Sequence, residues 1–570
     1  MMDSITVTAP ADRHIADLGF CKLDFTGQDK IEALKKLYSE QFSTEKVDGM
    51  MVSHNHGSYE KNLAVSEAIY GLLKEELELH FPNHRFFVGH FIVKEAGNTN
   101  SFQLHQDWNI VDESKHSSYQ LWIPLQLSYP ENGGMFFIPR SQHFNNALRS
   151  GSFGIPRVNL EPEVYPYLSY TRLFPGQATV FSNRMLHGSF SNATPENRLS
   201  VLVSLVEKDA PTLYYHHNKG ESKTEVYPVD APGLLKHLSV LETGQNPFTV
   251  EPLAVEPAPV QNNEATSLAD VISWIKKDRA QLNVPADYVF RQYQTIKDPE
   301  LEKTINHYGY TVIQLLTAPE IVQIRQYFAK YFPDRSGYSG RYSSMNHVDG
   351  QVRKEIHDLI QQTISHRLQL YFKDHYSPIS ILYSKRADGV NDTDWHTDPS
   401  LMLNQHLEPV FTLWCPLIDI DERHGVLQVV PGSHRLVNKI ICPCFRNFSP
   451  TPERAAVYNK YGKSFKLKAG QAILFDAHLV HGSLPNLSDR ERDCIVMKVA
   501  HQGSAYINLI PTENPDVFDL YRQNDDYFFS NVVTKHAEEA DTGIYMGPSY
   551  FFEDQITDQE VDNLLNTYRS

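Results

Sequence analysis

Trp395-His396-Thr397-Asp398 is followed about eighty residues later by His481-Gly482-Ser483. The first half of the chain carries the same arrangement as Leu104-His105-Gln106-Asp107 and His187-Gly188-Ser189. Side chains two apart on a β-strand point the same way, so each His-x-Asp pair shares one face. A third donor must come from another strand, and a gap of about eighty residues holds several strands and a return. Two imidazoles and one carboxylate are the ligand set of non-haem Fe(II) oxygenases, and three ligands on one face leave positions for a bidentate co-substrate and O2. A single His-x-Asp arises by chance in a chain this rich in both residues and reads as a surface pair. Duplication of its surroundings gives it weight.

The two halves align segment by segment. Leu18-Gly19-Phe20 precedes His105, and Tyr308-Gly309-Tyr310 precedes His396, at 86 and 87 residues from the glycine. Thr26-Gly27-Gln28-Asp29 and Thr317-Ala318-Pro319-Glu320 both read as capping boxes. Helices follow with Ile31, Leu34 and Tyr38, or Ile321, Ile324 and Phe328, at helical spacing. After the metal motif, Gln120 to Leu125 answers Thr412 to Leu417, and Gly134 to His143 answers Gly425 to His434. Gly176 to Phe181 answers Gly470 to Phe475. This is a tandem duplication with a period near 290 residues, not a solenoid. The boundaries read as a first domain over 1–245, a Pro-rich linker over 246–266, and a second domain over 267–570. Ser267-Leu268-Ala269-Asp270 caps a helix to about Leu282 that the first half lacks, and is read as bracing the second domain against the first. Short β-rich segments between Gly, Pro and Asn turns predict a mainly β fold with flanking α-helices, a jelly roll in each half.

At 570 residues the chain exceeds a single core. Hydrophobic and charged fractions of 41% and 21% are those of an ordinary globular protein. No apolar run matches a membrane helix, and Met1-Met2-Asp3-Ser4 does not open a secretion signal. Five cysteines make no disulfide framework, and Cys442-Pro443-Cys444 lacks the second pair a zinc site needs. A reducing cytoplasm is the expected compartment. A net charge of −17 repels phosphate backbones and anionic membranes, which leaves a small-molecule partner and excludes nucleic acid and membrane.

Arg198 and Arg492 each lie eleven residues after the distal histidine, beyond turn-rich stretches. A hairpin return would set each guanidinium beside that histidine, where it could anchor the far end of a dicarboxylate chelating the iron. Lys94 and Lys385 each lie eleven residues before the first metal histidine, and read either as co-substrate contacts or as solvent-facing strand residues. Ser189 and Ser483 face inward if their strands are regular, and Gln120 and Thr412 are comparable candidates. Trp122 and Trp414 read as core, and Tyr214-Tyr215-His216-His217 as an exposed loop rather than a second metal site.

These residues resemble the phytanoyl-CoA dioxygenase family of Fe(II)/2-oxoglutarate oxygenases, in two consecutive copies that cover nearly the whole chain. The resemblance is carried by His105, Asp107, His187 and Arg198, by Trp395 to Asp398 with His481 and Arg492, and by Pro431-Gly432-Ser433-His434. It implies two tandem double-stranded β-helix (cupin-like) domains, an intramolecular pseudo-dimer. It also implies Fe(II) as cofactor, 2-oxoglutarate and O2 as co-substrates, and succinate and CO2 as by-products. The histidines and aspartate of each set would bind iron. Arg198 with the Ser200 hydroxyl, and Arg492, would hold the distal carboxylate of 2-oxoglutarate. Three departures stand out: Cys494 where the first copy has Ser200, Leu104 in place of Trp395, and Pro139-Arg140-Ser141-Gln142-His143 in place of the usual Pro-Gly-Ser pattern. Both aspartates are present, which disfavours halogenation. The resulting expectation is a dioxygenase that hydroxylates, desaturates or cyclises a small molecule of biosynthetic metabolism. Three other readings stay open: one catalytic domain with a scaffold, a non-enzymatic iron or 2-oxoglutarate binder, and a cupin-type metalloenzyme. The candidate specificity segments, Glu113–His116 and Ser150–Tyr170, spell no ligand.

Overall fold

The computed structural model describes residues 10–98, 101–153, 157–161, 164, 167–218, 221, 223–257, 267–282, 290–390, 393–403, 405, 407–436, 450–524, 526–530, 543–550 and 556–568. The chain divides into two compact units, Met1–Ala286 and Asp287–Ser570. The segment containing Cys442 and Cys444 lies outside the described residues.

Each unit is built on the same pair of antiparallel sheets. In the first, a six-stranded sheet runs in the order Phe20–Asp24, Gln177–Ser182, Ser118–Pro124, Arg198–Glu207, His84–Lys94, Met50–Val52. A four-stranded sheet runs Phe102–His105, His187–Ser189, Met135–Phe137, Ser169–Tyr170. In the second unit the orders are Tyr310–Gln314, Gln471–Asp476, Val410–Pro416, Arg492–His501, His375–Lys385, Arg341–Ser343 and Thr393–His396, His481–Ser483, Leu427–Val429, Lys463–Ser464. This is the double-stranded β-helix layout with helical padding, twice.

Strand alternation sorts the large sheet into two faces. Val201, Val203 and Leu205 pack with Ile31, Leu34, Ile69 and Leu73 of the helices Gln28–Phe42 and Tyr59–His80. Ile495, Met497 and Val499 do the same against Ile324, Phe328, Ile356 and Ile360. The opposite parity, Arg198, Ser200, Leu202 and Ser204, or Arg492, Cys494, Val496 and Lys498, faces inward and builds the site.

The repeated glycines are C-terminal helix caps. Gly309 has φ 85 and its N–H donates to Ile305 O at 2.7 Å, closing the helix Pro299–Tyr308 in the left-handed region that glycine favours. A Cβ there would lie 2.6 Å from His434 Nδ1. Gly19, at φ 88, is pressed likewise by Gln142. Only one of the two expected capping boxes is present. Glu320 accepts from Thr317 N (2.5 Å) and Oγ1 (2.7 Å). In the first unit Gly27 is the cap residue with no side-chain bond, because Thr26 Oγ1 donates to Glu76 instead, at 2.9 Å.

Two domain-boundary expectations differ from the structure. The segment read as linker is partly folded: Phe248 stacks on Tyr227 with centroids 4.9 Å apart, and Ala254–Pro257 pairs as a strand with Lys223–Pro228. The helix Leu268–Gln281 has its capping box and belongs to the first unit, although the sequence reads as starting the second domain there. Val271 and Ile275 join Phe136, Ile138 and Val158 in one buried cluster, and Asp278 pairs with Arg140 at 2.9 Å. Arg140, which departs from the Pro-Gly-Ser pattern, thus serves as the helix's anchor. Ile275→Ala should cost the first unit about 2–5 kcal/mol, read as faster amide exchange around Phe136 and Ile138 with the second unit unaffected.

Candidate metal centres

In the first unit the short strands Phe102–His105 and His187–Ser189 pair antiparallel with His105 opposite His187. Asp107 follows as the chain leaves its strand, its N–H held by Asn183 O at 3.0 Å. The candidate ligand atoms of His105, Asp107 and His187 all lie within 4.8 Å of one another. His105 Nε2 is 3.7 Å from Asp107 Oδ1, and His187 Nε2 is 3.7 Å from Oδ2. Each Nδ1 is placed to donate to a main-chain carbonyl two residues back, Gln103 O and Met185 O, both at 2.9 Å. That fixes the tautomer and turns the Nε2 lone pairs inward. Burial pulls both imidazoles down to about 4, the charge of His187 adding to the effect on His105, so both are neutral donors at pH 7. Asp107 Oδ2 is buried without a hydrogen-bond partner. Neutral inward nitrogens around an unsatisfied carboxylate oxygen fit a divalent metal.

A cavity of about 740 Å³ opens from this centre. Arg198 enters it from the large sheet with its ring-stacked guanidinium 5.1 Å from Trp122. Its NH1 donates to Ser200 Oγ at 3.3 Å, and Nε has no partner although Arg198 is only 2% exposed. Burial pulls this guanidinium down to about 10. A buried cation with spare donors and no carboxylate against it is a receptor for an anion. Ser200 does not have the role expected of it. Its hydroxyl donates to Ile92 O (3.1 Å) and accepts from Trp122 Nε1 (3.1 Å) and Arg198, so it holds the arginine and has no proton left for a ligand. Trp122 is buried as expected, yet it also lines the cavity. The distal-histidine strand and the arginine strand belong to different sheets, so the intervening turn is a crossover and not a hairpin. Asn192 pins that turn, accepting from Thr194 Oγ1 at 2.6 Å and donating to Glu196 O at 2.8 Å.

Neither reading of the matched lysines holds. Lys94 is 2% exposed and donates to Ser189 Oγ at 2.8 Å and to Phe190 O, tying the large sheet to the distal-histidine strand. Lys385 is buried likewise, on Ser483 Oγ at 2.8 Å and Leu484 O at 2.5 Å. Burial, with Arg198 nearby, pulls Lys94 down to about 7. Ser189 and Gln120 line the cavity, Gln120 accepting from Ser204 at 2.9 Å. Tyr214 to His217 lie on a strand, Leu213–Asn218, and Tyr214 is 2% exposed, so the exposed-loop reading fails. Among the described residues the only clusters that could hold a metal are the two triads.

The second centre repeats the frame with His396 opposite His481. Nδ1 contacts run to Asp394 O (2.7 Å) and Leu479 O (2.9 Å), and His481 Nε2 is 3.9 Å from Asp398 Oδ1. Arg492 stacks 4.9 Å from Trp414 and donates to Gly425 O; Cys494 Sγ donates to Tyr383 O at 3.4 Å. Thr412 Oγ1 donates to Asp398 Oδ2 at 2.8 Å, and Lys498 Nζ pairs with the same oxygen. Burial raises Asp398, but the charges of Lys498 and His481 outweigh it and hold the carboxyl well below its usual range.

Sequence reading missed Lys498 and the buried pair Arg149–Glu113. Arg149 NH2 meets the Glu113 oxygens at 2.7 and 2.8 Å while its Nε donates to Asp107 O at 2.6 Å. Lys498 was open to inspection, since it shares strand parity with Arg492. Arg149 was not, because its partners come from separate loops. Arg149→Met should strand Glu113 as a buried, unpaired charge and destabilise the first unit by about 3–5 kcal/mol, measured by urea denaturation, whereas the double change with Glu113→Gln should recover much of the loss.

The sequence profile of the phytanoyl-CoA dioxygenase family matches residues 24–200 and 305–494. No curated protein matches the chain. Similar solved structures include EvdO2 from Micromonospora carbonacea var. aurantiaca with 2-oxoglutarate, at 16% identity, 36% of this chain, 94% of that one and TM-score 0.26. The α-ketoglutarate-dependent carbocyclase SnoK from nogalamycin biosynthesis matches at 18% identity, 37% and 86% coverage and TM-score 0.29. HygX from Streptomyces hygroscopicus, with nickel and 2-oxoglutarate, matches at 13% identity, 36% and 88% coverage and TM-score 0.27. The two profile matches fall one in each unit and together take in both His-x-Asp motifs, both distal histidines and both arginines: this chain belongs to the phytanoyl-CoA dioxygenase family.

Proposed function

We infer that the chain is a non-haem Fe(II)- and 2-oxoglutarate-dependent dioxygenase with two metal-competent centres, acting on a small molecule of biosynthetic metabolism. The observation that carries this is the pairing, in one cavity, of a His-Asp-His donor set with a buried arginine that no carboxylate meets. His105, Asp107 and His187 would hold the iron in the first unit, and His396, Asp398 and His481 in the second. Arg198 and Arg492 would take the distal carboxylate of 2-oxoglutarate. Held by these residues, iron would supply the coupling of 2-oxoglutarate decarboxylation, to succinate and CO2, with oxidation of a substrate C–H bond by O2, for hydroxylation, desaturation or ring closure.

The chain's own residues supply position and dryness. Lys94 keeps the distal-histidine strand against the arginine strand, so the two ends of one co-substrate would be gripped from two sheets. Ser200 and Trp122 fix the guanidinium plane. Beyond the centre, Val88, Ile110, Leu234, Leu235 and Leu238 line the cavity. His54 and His90 meet there with tilted rings, centroids 4.2 Å apart, and burial keeps both imidazoles neutral. With Arg157 and Glu242 also lining the cavity, this wall suits a largely apolar substrate that carries a few polar groups.

Anaerobic addition of Fe(II) and 2-oxoglutarate to metal-free protein should give the visible charge-transfer band, and His105→Ala should remove the first unit's share. Arg198→Gln should weaken 2-oxoglutarate binding roughly 30-fold or more, the worth of about 2 kcal/mol, with metal binding retained. Absence of any band would overturn the assignment. A band without succinate formation in air would favour a binding protein over an enzyme.

A further inference from the structure

The two centres share ligands but not charge, and the difference sits at one position. Six residues after the arginine, on the same inward face, the first unit has Ser204 and the second Lys498. Ser204 Oγ donates to Gln120 and leaves Asp107 alone. Lys498, 9% exposed, pairs with Asp398 Oδ2 and donates to Thr412 Oγ1 at 2.7 Å. Thr412 donates to that same carboxylate oxygen, so Lys498, Thr412 and Asp398 form a closed triangle. In the first unit the charge of Arg157 reaches His105, and the arginine whose charge reaches Asp107 is Arg149. It touches Asp107 only through the main-chain oxygen, and its NH2 is matched by Glu113. The first carboxylate therefore keeps one oxygen unsatisfied and no cation paired to its side chain, whereas the second is paired with Lys498.

We propose that the Lys498 ammonium is a built-in competitor for the metal at the second centre, holding its affinity for divalent cations well below that of the first. A divalent ion arriving at His396, Asp398 and His481 meets a carboxylate already neutralised and a like charge beside it. The first unit is then the metal-loaded one when metal is scarce, and the second loads only when it is abundant. The inference rests on the metal-binding reading of the two triads.

The test is Mn(II) binding to the full-length chain, followed by the EPR signal of free Mn(II), which needs no turnover. With His105→Ala isolating the second centre, Lys498→Ser should tighten Mn(II) binding there ~10–100-fold, the range in which groups behind the ligands act. Lys498→Met, which keeps the length and removes the charge, should do the same. Ser204→Lys on a His396→Ala background should weaken the first centre by a similar factor. A purely structural lysine could only lose affinity on replacement, so a gain identifies competition. Unchanged or weaker binding in both Lys498 variants would overturn the proposal, and would show that the lysine holds Asp398 in place for the metal. Failure of the His396→Ala protein to bind Mn(II) would instead count against the metal assignment of the first centre, with the Lys498 comparison still readable at the second.

Discussion

A three-residue strand decides both centres. His187 and His481 reach their partner histidines only because each short strand pairs in one register, with imidazole opposite imidazole. Strand side chains alternate, so a slip of one residue would turn His105 and His187 to opposite faces and disperse the donors. The register is reinforced from outside the strand. Lys94 and Lys385 clamp the distal-histidine strands through serine hydroxyls and carbonyls, and Asn192 and Asn486 fix the crossovers that follow. The large sheets then need only correct parity to aim an arginine into the same space.

Within that common frame the units differ in electrostatics more than in shape. Both arginines keep Nε unpartnered, but Arg198 is steadied by a hydroxyl, whereas Arg492 bonds Gly425 O and lies next to a thiol whose burial pushes it up to about 12. The carboxylate of the first centre has one unsatisfied oxygen; in the second, one oxygen is held by a threonine and a lysine. Duplication has preserved the ligand geometry while letting the second layer diverge, and the second layer sets how strongly a metal or a dicarboxylate is drawn in.

Much of this was legible because the chain carries its own comparison. The triads and arginines stood out through repeated spacing, and the mainly β architecture through turn punctuation. What failed did so for tertiary reasons. The direction of the Ser200 proton depends on Ile92 O lying across the sheet. The helix after the linker goes with the first unit because Val271 and Ile275 meet an apolar patch that no local pattern announces. Thr26 abandons its helix for Glu76, some fifty residues away. Tyr214 to His217 looked like an exposed polar run, yet pairing with Lys223–Pro228 buries it. Lys498 went unmarked for a different reason: the first copy has Ser204 at that position, so no repeated spacing points to it.

The imidazoles of both centres owe their orientation to main-chain carbonyls, at Gln103, Met185, Asp394 and Leu479. Many metal histidines are oriented by a neighbouring carboxylate side chain, which a single codon change can remove. Here the acceptor is the main chain at all four positions, so the side chains of Met185 and Leu479 are constrained by their burial and not by the tautomer they set. The tautomer is thus tied to strand geometry, and only a change that moves the backbone would release it.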